Sequence, residues 1–344
     1  MRASGAQLGV KGDQAMKKFI NHVDDFLTES LAGFASAHSD LVVLNNEPLY
    51  VRRKTLQPGK VALISGGGSG HEPLHSGFVG YGMLDAACPG QVFTSPTPDQ
   101  MMAAADAVDT GAGVIFIVKN YSGDLMNFEM ASEMSEIPNA MVLINDDVAV
   151  ENSSYTTGRR GVAGAVIVEK LVGSMAESGA DLEQCKAFGD RINKRTASMG
   201  VAFSSCTVPA AGTLTFKIGD DEIEVGVGIH GEPGRRRAKF AGADAIAGEL
   251  LKAIVDDLKP QAGAELLVLI NGLGGTPLGE LYLLFNSTHA WLQQRDLKVG
   301  RAQVGALTTS LEMAGASITL CVLDDEMARH WDSPVHTPSL RWGM

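Results

Sequence analysis

The residues best suited to chemistry are two histidines, a lysine and a carboxylate set among glycines. "SGGGSGHEPLH", Ser65 to His75, places His71 just after three consecutive glycines. "IVKNYSGD" presents Lys119, Asn120 and Asp124, and "VGVGIHGEPG" holds His230 between Gly228 and Gly231. A lysine, a carboxylate and two imidazoles at loop positions form an acid/base set. The competing reading is that each residue caps a helix or closes a turn. That suffices for Asn120, but not for an imidazole with the bulk removed on either side.

The first stretch also matches H-E-x-x-H, the spacing that sets two His on one helix face around zinc. Pro73 speaks against it, because proline removes a backbone donor and fits a helix only in its first turn. The first His would then precede the helix, and no third ligand is evident. What remains is a glycine loop closing an apolar strand, where missing side chains let backbone N–H groups approach a ligand. It lacks the Lys-Ser/Thr of a phosphate loop and the spacing of a dinucleotide fingerprint.

The elements that must position these residues read as α/β. Apolar runs "VALIS" (61–65), "GVIFIVKN" (113–120) and "AMVLIND" (140–146) alternate with helical patterns such as "PDQMMAAADAVD". Such alternation predicts a mostly parallel sheet covered by helices on both faces. An amphipathic helix is expected from Met16, with Phe19, Ile20, Val23, Phe26, Leu27 and Leu31 at three- and four-residue spacing. From Gly161 the pattern is helical for nearly forty residues, broken where Gly179 caps one helix and Asp181 starts the next. Beyond a boundary near residue 198, "SMGVAFSSCTV" and "EIEVGVGIH" read as strands of an antiparallel or mixed sheet. "AKFAGADAIAGELLKAIVDDL" and "PLGELYLLFNSTHAWLQQ" follow as helices, "ELLVLING" and "SITLCVLDD" as strands. The expected architecture is two α/β domains: 16–198, and 199–344 with a smaller mixed sheet and His230. Residues 1–15 are read as a disordered or appended leader.

Composition narrows the function classes. At 344 residues, 45% of them hydrophobic, the chain can build two cores. A net charge of −12 excludes a general nucleic-acid or anionic-membrane binder, which needs clustered Lys and Arg. The one basic run, "GRRRAK" (234–239), is expected to be a solvated loop or a docking patch. Cys88, Cys185, Cys206 and Cys321 are scattered, a usage that fits a reducing compartment and a cytoplasmic protein. No secretory signal is read in "MRASGAQLGVKGDQA", and no apolar run reaches the ~18 residues of a membrane span.

Seven motifs taken in order, "SGGGSGHEP", "FTSPTPDQ", "VKNYSGD", "YTTGRRG", "CTVPAAG", "VGIHGEPG" and "WDSPVHTPSL", resemble dihydroxyacetone kinases, specifically the substrate-binding K subunit. The resemblance runs from about Met16 onward. It implies that His230 attacks the ketone carbon of dihydroxyacetone through a ring nitrogen, giving a covalent hemiaminal. It implies that His71 and Asp124 are the acid/base pair, and that Gly68 and Lys119 contact the substrate through backbone N–H and side chain. Asp124 would take the proton of the terminal hydroxyl, while His71 polarises the ketone oxygen or shuttles its proton. Covalent capture requires a carbonyl, so it selects short ketoses or aldoses over glycerol.

The sequence shows no phosphate loop and no aspartate-rich nucleotide site, and it stops soon after "SPVHTP", where ATP-dependent fused members continue. The resemblance is therefore to the phosphoenolpyruvate-dependent type. It implies no cofactor on this chain, ADP and Mg on a partner L subunit, a phosphotransferase component upstream, and a homodimer. The span from "IHGEPG" to "ELLVLING" is shorter than in some members, which would bear on the dimer interface or the docking of L. Two rivals stand beside this reading. One is a paralogue that captures dihydroxyacetone as a transcriptional co-activator; the other is a kinase subunit for a four-carbon ketose such as erythrulose. Retention of His71, Lys119 and Asp124 favours the enzyme.

Overall fold

The computed structural model describes residues 17–150 and 158–344. The leader, Met16 and the "YTT" of "YTTGRRG" lie outside the described residues. Helix α1 (Phe26–Ala37) leads into a sheet of β1 (Val42–Asn46), β2 (Leu49–Arg53), β3 (Ala62–Ser69), β4 (Ala86–Val92), β5 (Val114–Lys119) and β6 (Asn139–Ile144), in the order β1-β2-β4-β3-β5-β6. Strands β4, β3, β5 and β6 are parallel, and the β1–β2 hairpin adds antiparallel at one edge.

Side chains alternate across this sheet as a pleated strand requires. Ile64, Val114, Phe116 and Val118 pack on α2 (Pro98–Val108) and α3 (Ser122–Met134). Leu63, Ile115, Ile117, Val142 and Ile144 face the other way, into the core shared with α4 (Gly164–Glu177) and α5 (Leu182–Lys194). Both faces are covered, which is why the strands read as continuous apolar runs.

The second sheet comprises β7 (Thr196–Ala202), β8 (Glu222–Val225), β9 (Arg236–Lys239), β10 (Glu265–Gly272), β11 (Lys298–Gly305) and β12 (Gly315–Val322). Its order is β11-β10-β12-β7-β8-β9, mixed because β10 and β11 are parallel and the other pairs antiparallel. Expected to be the smaller sheet, it too has six strands. Met199, Val201, Val268, Ile270, Ile318 and Leu320 pack on α6 (Ala243–Leu258) and α7 (Leu278–Gln293). On its other face, Leu267, Leu269 and Cys321 join the core that holds α4. Helix α8 (Asp325–Asp332) and a hairpin of β13 (Val335–His336) and β14 (Arg341–Trp342) close the chain against α4 and the first core.

Helix α4 packs against strands of both sheets, and every residue from Gly164 to Ser174 is buried. A helix apolar nearly all round has this fate, its two charged residues Glu169 and Lys170 being buried with the rest. Its start is tied to both halves by one carboxylate. Asp146, just past β6, accepts from the backbone N–H groups of Val162 and Gly164 at 2.8 Å and from the Ser198 hydroxyl of β7. The Ser198 N–H donates to the Asp146 carbonyl at 2.7 Å. Gly164 is required here, since a Cβ would lie 2.6 Å from the Asp146 carboxyl carbon.

Three expectations are corrected. The first helix begins at Phe26, because residues 17–25 form bends and turns in which Phe19 is fully exposed and Ile20 and Val23 are only partly buried. The glycines 66–68 are a continuation of β3, paired with Cys88, Pro89 and Gly90 of β4, because at Gly66 a Cβ would meet the Cys88 carbonyl oxygen at 2.5 Å. The basic run is neither a loop nor a free patch: Arg236–Lys239 is edge strand β9, its cations paired as Arg236–Glu249, Arg237–Glu224 and Lys239–Asp221. By contrast the break between α4 and α5 falls where the sequence put it, with Gly179 at φ +89° and Asp181 forming a capping box with Gln184.

The Asp146 hub yields a test. Asp146→Ala strands three buried donors, each worth ~1–3 kcal/mol. The expected loss is about 3 kcal/mol or more, read as a lower urea midpoint at unchanged slope.

Candidate active site

The parallel strands of the first sheet deliver their site residues at their carboxyl ends, where open α/β sheets hold ligands. Gly68 is near the end of β3, Lys119 is the last residue of β5, and Asp124 lies in the first turn of α3. His71 follows β3 by two residues. His230 comes from the second half, in the turn after β8 that Gly231 closes by donating to the Gly228 carbonyl at 3.0 Å. The structure thus brings the five residues singled out from the sequence together from segments of two different sheets: Gly68, Asp124 and His230 line one cleft, and His71 and Lys119 are buried beside it. Gly68, Phe93, Tyr121, Asp124, Asn127 and His230 are among its lining residues.

The histidine pair is the centre of the site. Nε2 of His230 lies 3.1 Å from Nε2 of His71. The Thr309 carbonyl lies 2.7 Å from Nδ1 of His71; a carbonyl only accepts, so Nδ1 carries the hydrogen and Nε2 presents a lone pair to His230. On the far side of His230, Nδ1 meets the Glu232 carboxylate at 3.1 Å and the His230 backbone N–H donates to the same carboxylate at 2.9 Å. Glu232 therefore commits Nδ1–H. Burial acts to raise the Glu232 carboxyl, but the His230 hydrogen bond and the charges of His230 and Arg160 outweigh it and hold it below its ordinary value. Burial, with His230 and Lys119 nearby, pushes His71 well below the ordinary imidazole value, so a proton passed to it is readily given up again.

Aromatic walls fix the rings. Phe93 stacks on His71 at 5.0 Å and meets His230 edge-on at 5.2 Å, and Tyr121 meets His230 edge-on at 4.6 Å. His71 is buried, whereas the His230 side chain keeps 18% exposure and so faces the cleft.

Asp124 supplies an acceptor beside them. Its Oδ1 is buried without a hydrogen-bond partner, and its Oδ2 lies 3.9 Å from Nζ of Lys119. Lys119 is itself buried, in contact with Nε2 of His75 at 2.7 Å and the Gly66 carbonyl at 3.3 Å. The space for its head exists because Gly67 has no side chain; a Cβ there would lie 2.5 Å from Nζ. The zinc spacing has no helix beneath it, because residues 72–75 form turns and the two His rings diverge, His71 to Thr309 and His75 to Glu169.

Several participants escaped the sequence reading. Glu232 had a local signal, a carboxylate two residues past a glycine-flanked His. His75 was quoted within the zinc spacing and given no other role. Phe93 and Tyr121 stand inside "FTSPTPDQ" and "VKNYSGD" with nothing there to mark them as ring contacts, and Glu169 and Thr309 carry no signal, since distant segments bring them in.

Two mixed α/β sheets that gather a pair of imidazoles, a carboxylate and a buried lysine around one cleft define an α/β protein equipped to move protons. A family model, the Dak1 domain, matches residues 32–339, and the chain belongs to that family. It is 47% identical to the dihydroxyacetone-binding subunit DhaK of the PEP-dependent dihydroxyacetone kinase of Escherichia coli, over 95% of this chain and 100% of that one. Among solved structures it resembles the dihydroxyacetone kinase of C. freundii at 32% identity and TM-score 0.86, over 94% of this chain and 60% of that chain. The dihydroxyacetone kinase operon co-activator Dha-DhaQ matches at 32% identity and TM-score 0.86, over 90% of this chain and 97% of that one.

The hydrogen-bond pattern is checked by NMR on ¹⁵N-histidine-labelled protein. His71 is expected as the Nδ1–H tautomer and His230 with Nδ1 protonated. Glu232→Gln should release Nδ1 of His230 and leave His71 unchanged.

Proposed function

We propose that this chain is the dihydroxyacetone-binding subunit of a phosphoenolpyruvate-dependent dihydroxyacetone kinase, holding the ketose as a hemiaminal on His230 and presenting its terminal hydroxyl for phosphorylation. The observation that carries the reading is the His230–His71 contact of 3.1 Å, with Nδ1 of His230 anchored on Glu232.

His230 satisfies both neighbours when it bears hydrogen on both nitrogens. Passing the Nε2 proton to His71 leaves a lone pair on Nε2, which attacks the ketone carbon as the carbonyl π pair moves to oxygen. His71 returns the proton to that oxygen, forming the hydroxyl, and the positive charge left on the alkylated imidazole faces Glu232. Asp124 then accepts the proton of the terminal hydroxyl as its oxygen attacks phosphorus and the bond from phosphorus to the nucleotide breaks. Positioning does most of the work in phosphoryl transfer, and a covalent anchor supplies it.

ADP and Mg are assigned to a partner L subunit, and the phosphoryl group to a phosphotransferase component upstream. The 47% identity to a subunit of a PEP-dependent kinase supports this. Gly68 and Lys119 are assigned to substrate contact. No described helix is long and apolar enough to cross a membrane, and the four cysteines are free and buried, in keeping with a cytoplasmic protein. A homodimer is proposed, with exposed Leu278, Tyr282 and Leu283 of α7 as the face available to it. The co-activator shares the fold at equal TM-score, and fold alone does not separate sensor from enzyme. The intact set of His71, Lys119 and Asp124 at the cleft favours the enzyme.

Native mass spectrometry with dihydroxyacetone, before and after adding an L subunit, ADP and a phosphoryl donor, tests this. Wild type should show an adduct that turns over to dihydroxyacetone phosphate; an adduct that persists with every cognate L subunit points to the sensor. His230→Ala should abolish the adduct. Asp124→Ala should keep it and lower turnover by ~10²–10⁴-fold, and loss of the adduct there would contradict the role given to Asp124.

A further inference from the structure

Behind Asp124 and Lys119 the line of titratable groups continues into the core through two residues that the chemistry above does not use. Glu169 sits in the middle of α4, where its neighbours Val166, Ile167, Val168, Leu171 and Val172 are apolar and buried. Its Oε1 lies 2.5 Å from Nδ1 of His75, and Nε2 of His75 lies 2.7 Å from Nζ of Lys119, which lies 3.9 Å from Oδ2 of Asp124. Four segments, α4, the turn after β3, β5 and α3, each contribute one member.

We propose that Glu169 and His75 are positioning residues that hold Lys119 as an ammonium, so that it orients and balances the Asp124 carboxylate during phosphoryl transfer. The inference rests on the kinase-subunit reading. A carboxylate at Oε1 accepts from Nδ1–H of His75, which turns the Nε2 lone pair toward Lys119. The ammonium then donates to Nε2 and to the Gly66 carbonyl, leaving its third hydrogen on the side of Asp124 and of the substrate contact assigned to it. An uncompensated ammonium is costly to bury, and a charge on one fully buried residue of an otherwise apolar helix face needs a reason of this kind.

Among the described residues, the charged and titratable groups that face Lys119 are Asp124 from α3, Glu169 from α4, and His71 and His75 from the segment after β3. Burial lowers Lys119 from its ordinary value and raises Glu169 well above its own, while Asp124 and Glu169 pull Lys119 back up and Lys119 in turn pulls Glu169 down. The sign follows: turnover that needs the ammonium falls as pH rises through the Lys119 value. Removing the Glu169 charge moves that fall to lower pH. A purely structural role for Glu169 would lower stability without moving the profile.

The test compares wild type, Glu169→Gln and Glu169→Asp in the complete system with L subunit, ADP and phosphoryl donor, reading kcat from below neutrality into the alkaline range. Glu169→Gln is expected to keep the dihydroxyacetone adduct on His230, and its alkaline limb should move down by roughly one pH unit, the size of a neighbouring opposite charge. Glu169→Asp, which keeps the charge, should return the limb toward wild type. An alkaline limb unmoved in Glu169→Gln overturns the proposal. In parallel, ¹³Cε-lysine NMR follows the titration of Lys119 in each protein without any substrate: a downward midpoint in Glu169→Gln supports the proposal, and an unmoved one overturns it. Absence of turnover in wild type would sink the kinase reading, while the lysine titration would still decide the arrangement of Glu169, His75 and Lys119.

Discussion

The burial of one ammonium at the end of a central strand organises this site. Lys119 closes an otherwise apolar strand, β5, and it is as buried as the residues before it. A charge withdrawn from water costs several kcal/mol unless paired and hydrogen-bonded. Every neighbouring element is shaped by that requirement. Strand β3 gives up a side chain at Gly67 to make room for Nζ and offers the Gly66 carbonyl. The turn after β3 brings His75, and α3 brings Asp124 to its first turn. The glycine-rich stretch is thus a strand stripped of side chains so that a lysine, and the backbone of β4, can come close.

The second constraint is that the two imidazoles belong to different halves of the chain. His71 follows β3, His230 follows β8, and the carbonyl that sets the His71 tautomer belongs to Thr309, after β11. Their spacing is therefore no better defined than the packing of the two sheets. Helix α4 supplies that definition, buried against both sheets, with Asp146 binding its first turn and β7 in one set of hydrogen bonds. Phe93 and Tyr121 then press the rings from the sides, at centroid separations where edge-on contacts are favourable.

This arrangement separates two demands on one cleft. In the proposed mechanism, attack on a carbonyl needs a ring nitrogen with an open lone pair beside a base that returns its proton, roles assigned to the partly exposed His230 and the buried His71. Deprotonation of a hydroxyl needs a carboxylate with an open lone pair, which Asp124 offers at Oδ1.

The sequence by itself determined the α/β class, the residues with chemistry in them, and several element boundaries, because these depend on local properties. A continuous apolar run between helical patterns reads as a covered strand wherever it packs, and Gly179 with Asp181 ends one helix and starts the next through backbone conformation and capping alone. His230 was visible because glycines flank it, and Glu232 stood two residues away. Strands β4 and β11 went unread: one carries Pro89 and Gly90, which locally signal a break, and the other is an edge strand with little apolar content. Only the tertiary structure decided that residues 66–68 pair as a strand, that the basic run forms an edge with its charges matched, and that Phe19 is left in water. It also decided that Glu169, inside an apolar helix, reaches His75. Each of these depends on which distant surface arrives to bury, pair or exclude a residue, and spacing along one chain does not carry that information.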